Sequence, residues 1–186
     1  VVEGSVTTSL VGGVPRSPFY RHEFAGGNRY MLEILAANAD EIGVAAEEEH
    51  FAQKISQVEI MLQNRTANLT ASAQRNGEKL ELWVSIQNLA GHKFPSGFPS
   101  RRAWLHVTVS DEGGNVLFES GAWQPDGSIV GNANDENELA YEPHYEVIEN
   151  AVQVQIYEAV FVNTDQQVTT ALMHAYEYVK NNRLLP

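Results

Sequence analysis

Hydrophobic residues recur along the chain with two different periods, and the change between them falls near residue 65. In residues 27–42, Met31, Leu32, Leu35, Ala39 and Ile42 stand at helical spacing. Asn28 is placed to cap the start of this helix and Gly43 to stop it. A second helix is predicted from about Ala46 to Asn64, with Phe51, Ile55, Val58 and Leu62 on one stripe. Glu47, Glu48 and Glu49 suit the positive end of its dipole. The short connection between the two predicts an antiparallel helical hairpin over 26–65.

Beyond residue 65 the period becomes two. "ANLTASAQRNGEKLELWVSIQNL" alternates around Asn76-Gly77, a strong hairpin signal, with Leu80, Leu82, Val84 and Ile86 on one side. "RAWLHVTVSDEGGNVLFESGA" repeats the device around Gly113-Gly114. Val152, Val154, Ile156 and Ala159 form a further alternating set. Residues 168–180, "VTTALMHAYEYVK", carry both signals, and Ala171, Leu172, Met173 and Ala175 tip the reading to a helix. Residues 1–25 show no period, and Gly12-Gly13, Pro15 and Pro18 mark an extended lead-in. The expected fold is α+β, mainly β. It is an antiparallel β-sandwich over 66–186, Ig-like or jelly-roll-like, preceded by the helical hairpin. An irregular acidic excursion interrupts it at about 120–150.

Composition narrows the function classes. The chain has 186 residues, 43% of them hydrophobic, so it can bury a core. Twelve basic residues against 24 acidic ones give a net charge of −12. That field repels nucleic acid and anionic membrane surfaces. There are no cysteines, which excludes disulfides, thiolate zinc sites, a cysteine nucleophile and haem attachment through Cys-x-x-Cys-His within this chain. No apolar run approaches the roughly 20 residues that span a bilayer. No signal peptide is visible at Val1, so a cytosolic, processed or cut chain is expected. Asn64-Arg65-Thr66 and Asn68-Leu69-Thr70 are glycosylation sequons with meaning only after eukaryotic secretion.

Four places carry candidate chemistry. In "NLAGHKFPSGFPSRRAWLHV", residues 88–107, Pro95, Pro99, Gly91 and Gly97 fix the shape of a loop that presents His92 in one direction. Arg101 and Arg102 cannot both point inward, so one pairs with a carboxylate and the other faces solvent or a partner. In "YRHEFAGGN", His22 precedes the first helix and could ligate a metal outside the chain. Asp126, Asn132, Asn134, Asp135 and Glu142 concentrate hard oxygen donors that can bind Ca²⁺, although without an EF-hand spacing. His144, between Pro143 and Tyr145, is placed as a fixed buried donor. The six histidines share no close ligand spacing. No Gly-x-Ser-x-Gly elbow, His-Glu-x-x-His motif or phosphate-cradling loop is present, so no catalytic residue is expected.

"NLAGHKFPSGFPSRRAWLHVTVSDEGGNVLFESG", "YEPHYEVI", "VQIYEAV" and "VKNNRLLP" together resemble the C-terminal region of a family of periplasmic multihaem c-type cytochromes. "RHEFAGGN" and the helices behind it resemble the stretch after the last haem-binding motif of those proteins. The resemblance runs from about Tyr20 to the end. It implies a haem-free accessory portion of an electron-transfer protein, periplasmic or extracellular, whose partners are an N-terminal haem domain of the same parent chain and a redox protein. Haem c belongs to that parent, and none is implied within this chain. His22, and less so His92, are the implied axial ligands. The chain departs from the family in lacking Cys-x-x-Cys-His, in carrying Asn181 where an aspartate is expected, and in stopping at Pro186 where relatives continue. An independent Ca²⁺- or carbohydrate-binding β-sandwich module is the competing reading, motivated by the acidic excursion and by Trp83, Trp104 and Trp123.

Overall fold

The computed structural model describes residues 4–7, 9, 11–19, 25–98 and 100–186. The chain divides into two units, Val1–Arg65 and Thr66–Pro186.

In the first unit, α1 spans Arg29–Ala37 and α2 spans Glu48–Asn64. The Asn28 side chain accepts from the Met31 N–H at 2.9 Å and so caps α1. The helix stops well before Gly43. Asn38 turns its side-chain amide back onto the Ile34 carbonyl at 2.7 Å, and this competition with the backbone ladder ends the regular turns. Glu47 opens α2 through a capping box with His50. Arg29 of α1 reaches Glu59 near the other end of α2 at 2.7 Å, which makes the pair antiparallel. Phe51 and Val58 are the buried residues of α2, whereas Leu62 at the end of the expected stripe is exposed. In the lead-in, Val6 and Arg16 form an antiparallel bridge, so part of it closes on itself.

The second unit is mainly β, and every strand pairing is antiparallel. Strands β1 (Ala67–Asn76) and β2 (Lys79–Asn88) form a two-stranded ribbon. Its register pairs Asn76 with Lys79, so the turn is Gly77-Glu78 rather than Asn76-Gly77. Glycine at the first turn position with φ +64° and a negative φ at Glu78 match a Gly-first hairpin turn. Next come β3 (Ala103–Trp104), β4 (Val107–Ser110) and β5 (Val116–Ser120). The single strand expected from Ala103 onward is split: β4 pairs with β5, while β3 pairs with β6 (Ile156–Tyr157). The chain thus leaves one sheet for another at Leu105–His106, held there by Leu105 N–H to Gln155 O at 3.0 Å.

After β5 the chain runs through the short helix α3 (Ala133–Glu136) and returns at β6. Strand β7 (Ala159–Val162) is flanked by β8 (Val168–Thr169) and β9 (Glu177–Asn181) in a three-stranded sheet. The helix expected over 168–180 is therefore a strand, a single 3₁₀ turn at Leu172–His174, and another strand. The β-branched and aromatic residues outweigh Ala and Leu because Tyr178 finds Phe161 across the sheet, with ring centroids 4.1 Å apart.

Val154, Ile156 and Ile129 form the buried cluster of this unit. Val152, expected on the same face, is two-thirds exposed, because residues 151–155 are not in a strand and burial begins only at Val154. Gly131 lies over this region at φ +87°, and a β-carbon there would overlap the Val152 carbonyl. Gly131→Ala is expected to cost about 2–4 kcal/mol in urea denaturation, from left-handed strain plus displacement of backbone. Gly77→Ala, with a similar φ but open space around it, is expected to cost only about 1 kcal/mol. Equal midpoints for the two variants would contradict this packing.

Candidate functional site

The loop between β2 and β3 begins with a backbone clasp. Phe94 and Leu184 exchange both N–H···O bonds, at 2.9 and 2.8 Å. Asn88 adds its side-chain amide to the carbonyls of His92 at 2.8 Å and Leu184 at 3.3 Å. His92 is exposed, and its Nδ1 lies 3.0 Å from the Lys93 carbonyl oxygen. A carbonyl only accepts, so Nδ1 donates in this contact, and in the neutral ring the lone pair is then on Nε2. Among the described residues no hydrogen bond to Nε2 is made. A backbone carbonyl holding one ring nitrogen is the usual support for an imidazole that ligates metal through the other. His22 lies outside the described residues, as does Pro99.

The two arginines diverge. Arg102 grips both carboxylate oxygens of Asp135, at 3.0 and 3.3 Å. Arg101 is exposed and makes no ion pair among the described residues; its Nη1 is 3.4 Å from the Ser96 carbonyl. It lines a hollow of about 260 Å³ together with Phe98, Phe161, Leu172, Tyr178 and Arg183, among others.

The acidic excursion folds onto itself. Asp126 accepts from both the backbone and the hydroxyl of Ser128, at 3.0 and 2.8 Å, and these bonds hold its carboxyl below the usual value. Asp135 also accepts from the Ile129 N–H at 2.7 Å. Burial raises the pKa of this carboxyl, but the bonds from Ile129, Asn132 and Arg102 together outweigh it and leave it lowered. Asn132 accepts from the Asn134 N–H, and Asn134 donates to the carbonyls of Glu138 and Ala140. Glu142 is buried, accepting from the Ala133 N–H at 3.2 Å and from the Tyr145 hydroxyl. The expected oxygen donors are thus near one another and bonded to protein donors. Among the described residues no group of three or more His, Asp or Glu side chains is arranged to hold a metal ion.

His144 differs from its expected role. Its ring is about 40% exposed, and its Nδ1 receives the side-chain amides of Gln155 and Asn182, so that nitrogen accepts rather than donates. The reason lies in residues that sequence reasoning passed over. Gln155 is buried with its oxygen on the Tyr145 N–H, which turns its NH₂ toward His144. Lys180 is buried too, with Nζ 2.6 Å from the Glu142 carbonyl and 2.8 Å from Glu158 Oε1. No motif marks Lys180, which follows Tyr178 and Val179 in a segment whose sequence reads as a helix. The tryptophans are all partly open: Trp104 anchors its indole N–H on the Gly121 carbonyl at 3.0 Å, and Trp123 stands edge-on to His106 at 5.0 Å.

Comparison of the chain with protein-family models, with curated proteins and with solved structures returned no match. Among the described residues no helix is long and apolar enough to cross a membrane.

Two outcomes test this network. Lys180→Met leaves Glu158, with its side chain 15% exposed, without its cation, and is expected to cost about 3 kcal/mol or more in urea denaturation. A loss under about 1 kcal/mol would mean that the ion pair is not formed. Burial, then the hydrogen bond to Glu142 and its charge, push the Tyr145 phenol up to about 12. The neutral phenol is thereby favoured in the fold. Its contribution to stability is complete below pH 10, the unperturbed value, and is lost as the pH rises toward 12. Denaturation at intervals from pH 9 to 12 should show that decline, and Tyr145→Phe should reduce it; an unchanged slope would refute the contact.

Proposed function

We propose that this chain is a haem-free accessory domain of a multihaem c-type cytochrome, exported to the periplasm. Its strands over 66–186 form the β-sandwich body of that domain, and it docks on the haem-bearing part of its parent. The observation that carries the reading is His92: an exposed imidazole whose Nδ1 is 3.0 Å from the Lys93 carbonyl of its own loop, which leaves Nε2 as the ring nitrogen without a protein partner among the described residues. Such a nitrogen suits the axial position of a haem iron bound elsewhere. The haem supplies one-electron transfer; the chain's residues supply a ligand and a surface. The order of motifs from "RHEFAGGN" to "VKNNRLLP" supports the same class. So does the ribbon of β1 and β2, whose Leu69, Leu80 and Leu82 share one face and are 39–56% exposed, an apolar surface suited to cover by the haem-bearing part.

The ligand role is tested by titrating the chain into a short haem c peptide that carries one histidine ligand and an open sixth position. A saturable shift of the Soret band to the low-spin position is expected. It should be lost in His92→Gln and retained in His174→Gln, whose imidazole lies on the 3₁₀ turn. His22→Gln is the companion variant, and loss there instead would move the role to His22. No shift with the unaltered chain would remove the ligand reading altogether.

A further inference from the structure

We propose that the hollow beside β9 binds a small organic monoanion, a carboxylate carried on a flat apolar body. The inference is independent of the cytochrome reading. The hollow encloses about 260 Å³, which suits a ligand of benzoate size rather than a nucleotide. Its walls are apolar or aromatic: Pro95, Phe98, Ala159, Phe161, Leu172 and Tyr178. Phe161 and Tyr178 stack on one another, with centroids 4.1 Å apart and 31° between their planes, so a ligand ring would meet the edges or an outer face of this pair.

Two arginines line this apolar floor, Arg101 and Arg183. No carboxylate lines it among the described residues, and neither arginine makes an ion pair there. In a chain of net charge −12, two cations left beside aromatic rings without a carboxylate are the opposite of the average surface. Each is held in place without losing its charge. Arg183 donates from Nε to Asn181 Oδ1 at 2.9 Å and lies 5.9 Å from the centre of the Tyr178 ring. Arg101 lies over Gly97, where an added β-carbon would meet its Nη1 at 3.3 Å, and its backbone N–H bonds the Phe98 carbonyl at 3.0 Å. Most guanidinium N–H groups remain available to a carboxylate. The acidic surroundings select against higher charge, because each added negative charge is repelled by the same field.

Sodium benzoate, benzamide and inorganic phosphate, each titrated into the whole chain at constant ionic strength, provide the test. The readout is the ring-proton NMR signals of Phe98, Phe161 and Tyr178. Benzoate should produce saturable shifts, and benzamide should bind about tenfold more weakly or worse, the loss of one charge-assisted contact. Arg101→Gln and Arg183→Gln should each weaken benzoate by a similar factor, with the circular dichroism spectrum unchanged. Three results would overturn the proposal. Benzoate shifts could stay linear without saturation; benzamide could bind as well as benzoate; or phosphate could match benzoate, which would mean that charge alone is recognised. Variants that bind benzoate like the unaltered chain would equally remove the arginines from the site.

Discussion

The second unit depends on the burial of one short segment, Gln153–Ile156, and on the bonds its backbone makes while buried. Val154 and Ile156 are fully enclosed. Around them, Ser120 donates to the Gln153 carbonyl at 2.6 Å, and the Leu105 N–H to the Gln155 carbonyl. The Asn182 amide donates to the Ile156 carbonyl at 2.8 Å. These three bonds draw β5, the β3–β4 corner and the end of β9 onto the carbonyls of one segment, Gln153, Gln155 and Ile156. Burying those carbonyls without partners would cost more than the bonds themselves contribute, so the apolar cluster and its polar collar stand or fall together.

The same logic orders the charges. The buried Lys180 is paired with Glu158 and the partly buried Arg102 with Asp135, while the buried Glu142 makes no ion pair among the described residues and is held by the Ala133 N–H and the Tyr145 hydroxyl. Each pair ties a distant element to the excursion or to β9, and each is worth most as a constraint on geometry, since desolvation offsets much of the attraction. Arg102 and Arg101 show how one residue of displacement changes a role. Arg102 closes onto the helix α3 side of the excursion, while Arg101, on the opposite face, is left to the hollow.

Much of the secondary structure was legible, because period and capping are local. Asn28, the α2 stripe at Phe51 and Val58, and the β1–β2 hairpin all follow from nearest neighbours in sequence. The errors were non-local. A one-residue shift in the hairpin turn depends on the whole ladder, and residues 168–180 became strand through Phe161, which no local window contains. The candidate site divides in the same way. The prolines and glycines of the 91–102 loop are local signals of a fixed shape, but the contact of His92 Nδ1 with the Lys93 carbonyl belongs to no motif. Arg183, Gln155 and Lys180 carry no motif of their own. Lys180 takes its role from Glu158 and Glu142, 22 and 38 positions away, and Gln155 from Tyr145 and His144, 10 and 11 positions away.

Surface apolarity joins these observations to a role. A two-stranded ribbon alone is marginal in water, and three strands or a packed face are needed to hold one. The β1–β2 ribbon has ten paired positions, yet Leu80 and Leu82 at its turn end are among its exposed side chains. Its opposite face carries the pairs Thr70–Ser85 and Gln74–Glu81, which solvent accepts readily, but also Trp83, itself 52% exposed opposite Ser72. Apolar surface is thus open on both faces, through one tryptophan on this one and three leucines on the leucine face. At about 25 cal/mol per Å² of apolar surface removed from water, even a few hundred Å² of cover on that face would add several kcal/mol. A protein that docks there gains affinity and steadies the ribbon in one step.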